Sequence, residues 1–149
     1  PASAYGYRKA LAECLFLGAH AAGTRFAVTR YGNIAGSAGS VIPRWRKLLQ
    51  ERETIPITDP DCTRFWMTMQ EAVDLVANTA KQMNGGELVI PELPAYSLKG
   101  LSLALGVTDF NVTGLPHWEK QHECMGPGNC SNTARRMTID ELKEALEYV

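Results

Sequence analysis

The spacing of apolar and polar residues predicts helices that alternate with short strands along the chain. Residues 4–22 repeat apolar side chains at helical intervals, at Leu11, Leu15 and Phe16, and the pattern stops at Gly23. Residues 24–31 alternate and are rich in β-forming residues, which predicts a strand. The same criteria predict helices at about 41–52, 69–83, 97–106 and after the capping box at 138–141, extended segments at 54–59, 63–68, 87–91 and 109–115, and a loop at 126–136. Strands alternating with helices indicate an α/β protein.

Composition and charge narrow the class of protein. The 149 residues are 45% hydrophobic and 21% charged, which is ordinary for a soluble globular domain with its own core. Fifteen basic residues against sixteen acidic ones give a net charge of −1, so the chain has no positive field to attract nucleic acid or an anionic membrane. No apolar run approaches the ~20 residues of a membrane span. We therefore expect a cytoplasmic protein whose cysteines are free thiols, namely Cys14, Cys62, Cys124 and Cys130.

Tyr5 and Lys9 form a Tyr-x-x-x-Lys pair on the first predicted helix. Four residues make about one helical turn, so the phenol and the ammonium share one face. A free tyrosine titrates near ~10, and an adjacent cation in a partly desolvated site favours the phenolate that a general base needs at neutral pH. The pair is a candidate catalytic unit, and the alternative is a chance spacing on an ordinary helix.

The segment 32–43 joins the first predicted strand to the second helix and is rich in glycine. Glycines let backbone approach a ligand closely, and the polar side chains of Asn33, Ser37 and Ser40 can donate to a phosphate or a base edge. A strand, a glycine loop, a helix and the later Asp59 also imitate a dinucleotide-binding fingerprint. The glycines do not follow the Gly-x-Gly-x-x-Gly spacing, which argues against that interpretation.

Arg64 lies in the strand-like, aromatic segment 63–68, where its planar fork suits a diphosphate. The alternative is a surface arginine stacked on Trp66. In the run 44–47 we expect the basic side chains on a solvated helix face and Trp45 turned inward. The histidines and cysteines between residues 117 and 130 have neither Cys-x-x-Cys nor His-x-x-x-His spacing, so we predict no metal site and interpret them as loop histidines and free thiols.

Seven short motifs stand in order along nearly the whole chain. They are Tyr5-Gly6-x-x-Lys9, Thr24-Arg25-Phe26, Arg30-Tyr31-Gly32-Asn33, the segment 36–43, Ile57-Thr58-Asp59, the segment 63–68 and Glu119-Lys120-x-His122-Glu123. Together they resemble the inverting UDP-N-acetylglucosamine 4,6-dehydratases of the extended short-chain dehydrogenase/reductase superfamily. The resemblance implies the C-terminal portion of a Rossmann-like core at 1–53, followed at 54–149 by a small substrate-binding α/β subdomain with a C-terminal helix.

The resemblance also implies roles for individual residues. In that family, bound NAD or NADP oxidises the sugar C4 hydroxyl, water is eliminated across C5 and C6, and the hydride returns to C6 with inversion at C5. Tyr5 would deprotonate the C4 hydroxyl, Lys9 would hold the nicotinamide ribose, and the Tyr31 segment would flank the nicotinamide. The residues implied to grip the uridine diphosphate are Asn33, Ser40, Val41 and Arg64, with Glu119 supporting their pocket.

Three departures from the family pattern shape the expectation for this chain. The N-terminal glycine fingerprint is absent, as is the Asp-Lys pair that precedes the tyrosine helix and serves elimination and inversion. The family's Arg-Pro-Gly-Glu-Lys is here Pro116-His117-Trp118-Glu119-Lys120, so a phosphate-binding arginine is lost. We therefore expect a chain that is inactive alone, binds no dinucleotide tightly, and associates with itself or with a complementing N-terminal chain. The alternatives are a non-catalytic nucleotide-sugar-binding or assembly module and a remnant of another extended epimerase or reductase.

Overall fold

The structure is a computed structural model that describes residues 3–19 and 23–149. Short strands and helices follow one another along these residues. In chain order they are α1 (Ala4–Gly18), β1 (Ala27–Thr29), α2 (Val41–Gln50), β2 (Pro56–Ile57), β3 (Thr63–Phe65), α3 (Met69–Gln82), β4 (Glu87–Val89), β5 (Ala95–Ser97), α4 (Leu98–Ala104), β6 (Asn111–Val112), β7 (Cys124–Gly126), β8 (Asn129–Cys130) and α5 (Ile139–Leu146).

The described residues divide into two compact units. Unit 1 comprises the described residues up to Tyr31 together with Gln70–Pro91, and unit 2 comprises Gly32–Met69 and Glu92–Val149. Each unit contains helices and a parallel strand pair, β1 with β4 in unit 1 and β2 with β6 in unit 2. The predicted α/β class is confirmed. The functional division of the chain at residue 53 stays a prediction.

Unit 1 places α1 against β1, which pairs in parallel with β4. Helix α1 begins after Ser3, whose hydroxyl accepts a hydrogen bond from the Gly6 amide at 3.2 Å. The helix ends at Gly18, and the last positions predicted to be helical, 20–22, lie outside the described residues. None of the α1 residues is buried within the described part of the chain.

Unit 2 contains the apolar core, in which residues from α2, α4 and α5 meet residues of the short strands. The buried core residues are Ile42, Trp45, Ile55, Ile57, Cys62, Trp66, Tyr96, Leu98, Leu101, Leu142 and Leu146. Trp45 is 2% exposed, and its indole nitrogen donates to the Pro56 carbonyl at 3.2 Å, so its predicted inward orientation is confirmed. Arg44 and Lys47 are exposed as predicted, whereas Arg46 is half-buried, because its guanidinium donates to carbonyl oxygens near the end of α5.

Helix α5 is fixed at both ends by side chains. The Thr138 hydroxyl accepts from the Glu141 amide at 3.2 Å, and the Glu141 carboxylate accepts from the Thr138 amide at 2.7 Å. The predicted capping box is therefore confirmed, and this backbone hydrogen bond, helped by Arg135, lowers the pKa of Glu141. At the other end Arg46 donates to the Leu146 carbonyl at 2.6 Å and to the Val149 carbonyl. The Leu146 carbonyl, one of the last in the helix and otherwise unsatisfied, is thus paired.

Strand β5 and the hairpin of β7 and β8 were not predicted from the sequence. Strand β5 pairs antiparallel with β3 and spans only three residues, too few for an alternating pattern. The hairpin falls mostly in the segment predicted to be a loop, and a disulfide between Cys124 and Cys130 closes it. The prediction of four free thiols is therefore wrong for these two residues, because the hairpin brings them face to face. Cys14 and Cys62 are free.

We expect the double variant Cys124→Ser/Cys130→Ser to lose about 2 kcal/mol of the free energy of unfolding. A disulfide that closes so short a loop removes only part of the unfolded chain's freedom, which sets this modest magnitude. Urea denaturation under non-reducing conditions measures the effect, with Cys14→Ser as the control variant that removes a free, exposed thiol. An unchanged unfolding midpoint after full reduction of the wild-type chain would contradict the expectation.

Candidate functional site

A cavity of about 470 Å³ lies in unit 2, beneath the glycine-rich loop. The loop at 33–40 and the first turns of α2 form one side, and residues of β3, β5 and the following segments form the other. The structure brings together at this cavity the residues predicted to bind substrate: Asn33, Ser40, Val41, Arg64 and Glu119. Their assignment as ligand contacts stays a prediction.

The glycine-rich loop is held close to the body of unit 2 by its backbone. The Ala35 amide donates to the Met67 carbonyl at 2.8 Å, and Gly36 and Gly39 adopt φ of 73° and 79°, which favour glycine. A Cβ at Gly36 would also collide with the Val149 side chain. The conformation of the loop therefore requires glycine at positions 36 and 39.

The N-terminus of α2 opens on this cavity. Ser40 occupies the N-cap position, but its hydroxyl caps no amide and is buried without a hydrogen-bond partner. The first turn of α2 carries no acidic residue, and its leading amides have no intrahelical acceptor. An anion placed here would meet backbone donors, the positive end of the helix dipole and an unpaired hydroxyl.

Arg64 is 9% exposed and is the buried one of the two arginines that line the cavity, the other being the exposed Arg44. Its Nη1 donates to the carbonyls of Thr63 at 2.8 Å and Gln121 at 3.1 Å, and its Nη2 donates to Glu119 Oε1 at 2.8 Å. The alternative of a surface arginine stacked on Trp66 is wrong. Trp66 instead packs edge-on against Tyr96, with ring centroids 5.6 Å apart.

A second carboxylate, that of Glu123, stands behind Arg64, and the sequence predicted no role for it. Glu123 Oε1 lies 3.9 Å from Arg64 Nε, and its other oxygen, Oε2, is buried without a partner. Burial raises the pKa of Glu123, against the opposing effect of Arg64. Burial, with the nearby Glu123 charge, likewise raises the pKa of Tyr96. The only sequence signal for Glu123 was its place in the Lys120-x-His122-Glu123 motif.

A buried network of hydroxyls fixes Glu123 in place. Ser131 is fully buried, and its Oγ accepts from the Glu123 amide at 2.9 Å and lies 2.6 Å from Thr63 Oγ1. Thr63 Oγ1 also lies 2.8 Å from His122 Nδ1. Because Ser131 follows directly on Cys130, the disulfide hairpin forms one wall of this network. His122, interpreted from the sequence as a loop histidine, is therefore part of a hydrogen-bonded network.

Tyr5 and Lys9 lie on one face of α1, with the Lys9 ammonium 5.6 Å from the centre of the Tyr5 ring. Both side chains are exposed, Tyr5 to 65%, and are open to a ligand. Tyr31, at the end of unit 1, is half-buried. Their predicted catalytic and cofactor-binding roles are not tested by these positions.

The residues weighed for other sites have ordinary structural partners. Asp59 accepts from the Asp61 amide and from the Gln121 side chain in a turn, in place of a ribose. His117 contacts the Trp118 ring. In the part of the chain that the structure describes, no three His, Cys, Asp or Glu side chains are grouped so as to hold a metal ion.

Comparison with known proteins places the fold and the motifs in a family. A family model described as "Polysaccharide biosynthesis protein" matches residues 1–141. The chain belongs to this family. In the residues described, no helix of this family member is both long and apolar enough to cross a bilayer.

Three similar proteins illustrate the range of the similarity. The inverting UDP-N-acetylglucosamine 4,6-dehydratase of Campylobacter jejuni is 40% identical over 131 residues, which cover 84% of this chain and 39% of the relative. The UDP-glucose 4-epimerase of Rickettsia rickettsii is 33% identical over 134 residues, with the same coverage. The X-ray structure of Pen from Bacillus thuringiensis matches the whole of this chain with 58% of its own length, at a TM-score of 0.89 and 27% identity. The resemblance inferred from the motifs is confirmed, and the chain spans about two-fifths of the length of the curated relatives.

Proposed function

We propose that this chain is the substrate-binding portion of a cytoplasmic UDP-sugar 4,6-dehydratase, of the type that acts on UDP-N-acetylglucosamine. The observation that carries the proposal is the cavity at the N-terminus of α2, where buried Arg64 and an unpaired Ser40 hydroxyl face the same space. A guanidinium, helix amides and a hydroxyl are the donors that a diphosphate requires. The 40% identity to an inverting UDP-N-acetylglucosamine 4,6-dehydratase supports the choice of substrate.

We propose a separate role for each unit. Unit 2 binds the uridine diphosphate through Asn33, Ser40, Val41 and Arg64, and Glu119 orients Arg64 by their 2.8 Å ion pair. In unit 1, Tyr5 removes the proton of the sugar C4 hydroxyl. The positive charge of Lys9, held beside the ring of Tyr5, stabilises the Tyr5 phenolate that accepts this proton.

NAD or NADP is the cofactor that this reaction needs, and the residues of α1 fit a nicotinamide ribose. The exposed face carrying Tyr5 and Lys9 offers a hydroxyl and an ammonium to the ribose, and Tyr31 would lie beside the ring. When bound there, the cofactor would supply an acceptor for the C4 hydride and a donor for its return to C6. The sequence contains no Gly-x-Gly-x-x-Gly segment, so we propose that a complementing cofactor-binding half supplies the remaining contacts and that this chain alone is inactive.

A UDP-sugar 4-epimerase is the second candidate, favoured by the 33% identity to the Rickettsia rickettsii enzyme. Both reactions begin with oxidation at C4, so Tyr5 and Lys9 serve either one. Product analysis separates them, because a dehydratase yields a 4-keto-6-deoxy sugar and an epimerase returns a 4-hydroxy sugar.

Isothermal titration calorimetry of the chain with a series of ligands tests the proposed binding function. We expect UDP-N-acetylglucosamine and UDP to bind at least tenfold more tightly than uridine, because charge-assisted hydrogen bonds to phosphate contribute ~1.5–3 kcal/mol each. Equal affinity for uridine and UDP would show that the cavity makes no favourable contact with the diphosphate, and would contradict the proposal.

We also expect the chain to associate through α1, with a second copy or with a complementing half. Leu11 and Leu15 are 62% and 64% exposed and stand one turn apart, and burial of each side chain is worth ~1.5–3 kcal/mol. The variant Leu11→Lys/Leu15→Glu should therefore weaken association by tenfold or more, as measured by light scattering over a wide concentration range. A wild-type chain that is monomeric and monodisperse throughout would contradict this expectation.

A further inference from the structure

Arg64 stands between two carboxylates, and the balance of charge in this group is unusual for an anion-binding wall. Glu119 binds its Nη2 at 2.8 Å and Glu123 lies 3.9 Å from its Nε. With both carboxylates ionised, the group of three carries a net charge of −1. A nucleoside diphosphate ester brings two further negative charges to the same cavity. Arg44 also lines the cavity, but it is exposed and solvent screens its charge, so a loss of negative charge within the buried group would strengthen the binding of the ligand.

Of the two carboxylates, Glu123 is the one whose surroundings favour protonation. It is the more buried of the two, 24% exposed against 32% for Glu119, and its Oε2 has no hydrogen-bond partner. A Cβ at Gly32 would stand 3.4 Å from that oxygen and 3.1 Å from Phe65 Cβ, so backbone covers the carboxyl group closely. An unpartnered buried oxygen is costly when charged and cheaper when protonated.

The charged and titratable groups around Glu123 leave it weakly compensated. Arg64 on β3 and Lys120 favour its ionised form, and the Phe65 backbone supports that form with a hydrogen bond. Desolvation outweighs these effects and raises the pKa of Glu123. Facing it from β5 is the Tyr96 phenol, and beside it is His122, which is hydrogen-bonded to Thr63. Glu119 shares Arg64 with it.

We propose that Glu123 takes up a proton when a nucleoside diphosphate binds against Arg64, so that ligand binding is coupled to neutralisation of this carboxylate. The proposal rests on the proposed function of the cavity. Protonation places the new O–H on the partnerless side of the carboxyl group and leaves Arg64 paired with Glu119 and the ligand. Glu123 does not line the cavity and acts through Arg64 as a positioning residue.

The direction of the pH dependence follows from the charges. In the free chain the pKa of Glu123 is already above its ordinary value, and a bound dianion raises it further. Between these two values the complex binds more protons than the free chain, so affinity rises as the pH falls through this window. The limit for one coupled proton is a tenfold change in Kd per pH unit. The ligand contributes nothing to this dependence, because a diphosphate diester titrates only in strongly acidic solution.

Calorimetry of the chain with UDP-N-acetylglucosamine in cacodylate and in Bis-Tris, between pH 5.5 and 7.5, tests the coupling. The difference in heat between buffers of unequal ionisation enthalpy gives the number of protons taken up. We expect uptake in the wild-type chain and tighter binding at low pH. Glu123→Gln, which keeps the size and removes the charge, should bind at pH 7.5 at least as tightly as wild type, with no proton uptake and a flat profile. Glu144→Gln, on the exposed face of α5, should match wild type.

Each other outcome has a definite meaning. Binding by the wild-type chain without proton uptake overturns this inference and leaves the proposed function standing. Uptake that persists in Glu123→Gln assigns the proton to another group, such as His122, and also overturns it. Absence of any binding overturns both this inference and the proposed function. The wild-type profile needs no variant, so a folding defect in Glu123→Gln does not prevent the test.

Discussion

Replacing Arg64 with alanine will weaken the binding of UDP-N-acetylglucosamine by at least tenfold and destabilise the chain by about 3–5 kcal/mol. The binding loss follows from the charge-assisted contacts that a guanidinium makes to phosphate, each worth ~1.5–3 kcal/mol. The stability loss follows because Glu119 and Glu123 would lose the buried cation that compensates their charges. Calorimetry measures the affinity, and urea denaturation measures the free energy of unfolding.

Two further variants separate binding from stability. Arg64→Lys keeps the positive charge but loses the planar fork that donates to Thr63, Gln121 and Glu119. We therefore expect it to lose less stability than Arg64→Ala, and to bind the ligand less tightly than wild type. Arg136→Ala removes an exposed arginine of unit 2 and should change neither quantity measurably. Wild-type affinity in a folded Arg64→Ala chain would end the assignment of Arg64 to the diphosphate.

Replacing Tyr5 with phenylalanine will slow C4 oxidation by a factor of about 10²–10⁴ in an assembly of this chain with a cofactor-binding half. The factor is the usual contribution of a general base, and phenylalanine has no phenolate oxygen to accept the proton. Because Tyr5 is 65% exposed, the change should leave the free energy of unfolding within about 0.5 kcal/mol of wild type. The measurement is formation of the 4-keto product from UDP-N-acetylglucosamine.

The same helix offers a matched control for this experiment. Tyr7 is 63% exposed and stands two residues from Tyr5, on a different face of α1. Tyr7→Phe should therefore retain wild-type turnover, whereas Lys9→Met should slow it like Tyr5→Phe. Full activity in Tyr5→Phe would show that another group removes the C4 proton.

Elements with a strong local signal were predictable from the sequence, and elements defined by distant pairing were not. Helices α2 and α3 lie within two residues of their predicted bounds, and α5 begins at the predicted capping box, because apolar periodicity and caps are local. Strand β5 exists because Ala95–Ser97 pairs with β3, some thirty residues earlier in the chain. The disulfide of Cys124 and Cys130 likewise depends on a hairpin that the Gly/Asn-rich sequence concealed.

The candidate site was predictable only in part for the same reason. Arg64 could be proposed as an anion-binding residue from its own chemistry, and the other cavity residues came from the family resemblance. The role of Glu123 could not be predicted, since it depends on its approach to an arginine 59 positions away and on an oxygen left without a partner. Charge balance in a buried group is a property of the folded chain.

The central claim, that the cavity of unit 2 binds a UDP-sugar, is tested most directly by mapping the ligand onto residues. Backbone amide NMR spectra of the chain, recorded during titration with UDP-N-acetylglucosamine, report which residues respond. We predict saturable shifts concentrated in the loop at 33–40, the first turn of α2, and the backbone around Arg64 and Glu119. An unchanged spectrum at millimolar ligand, or shifts confined to residues outside this cavity, would contradict the claim.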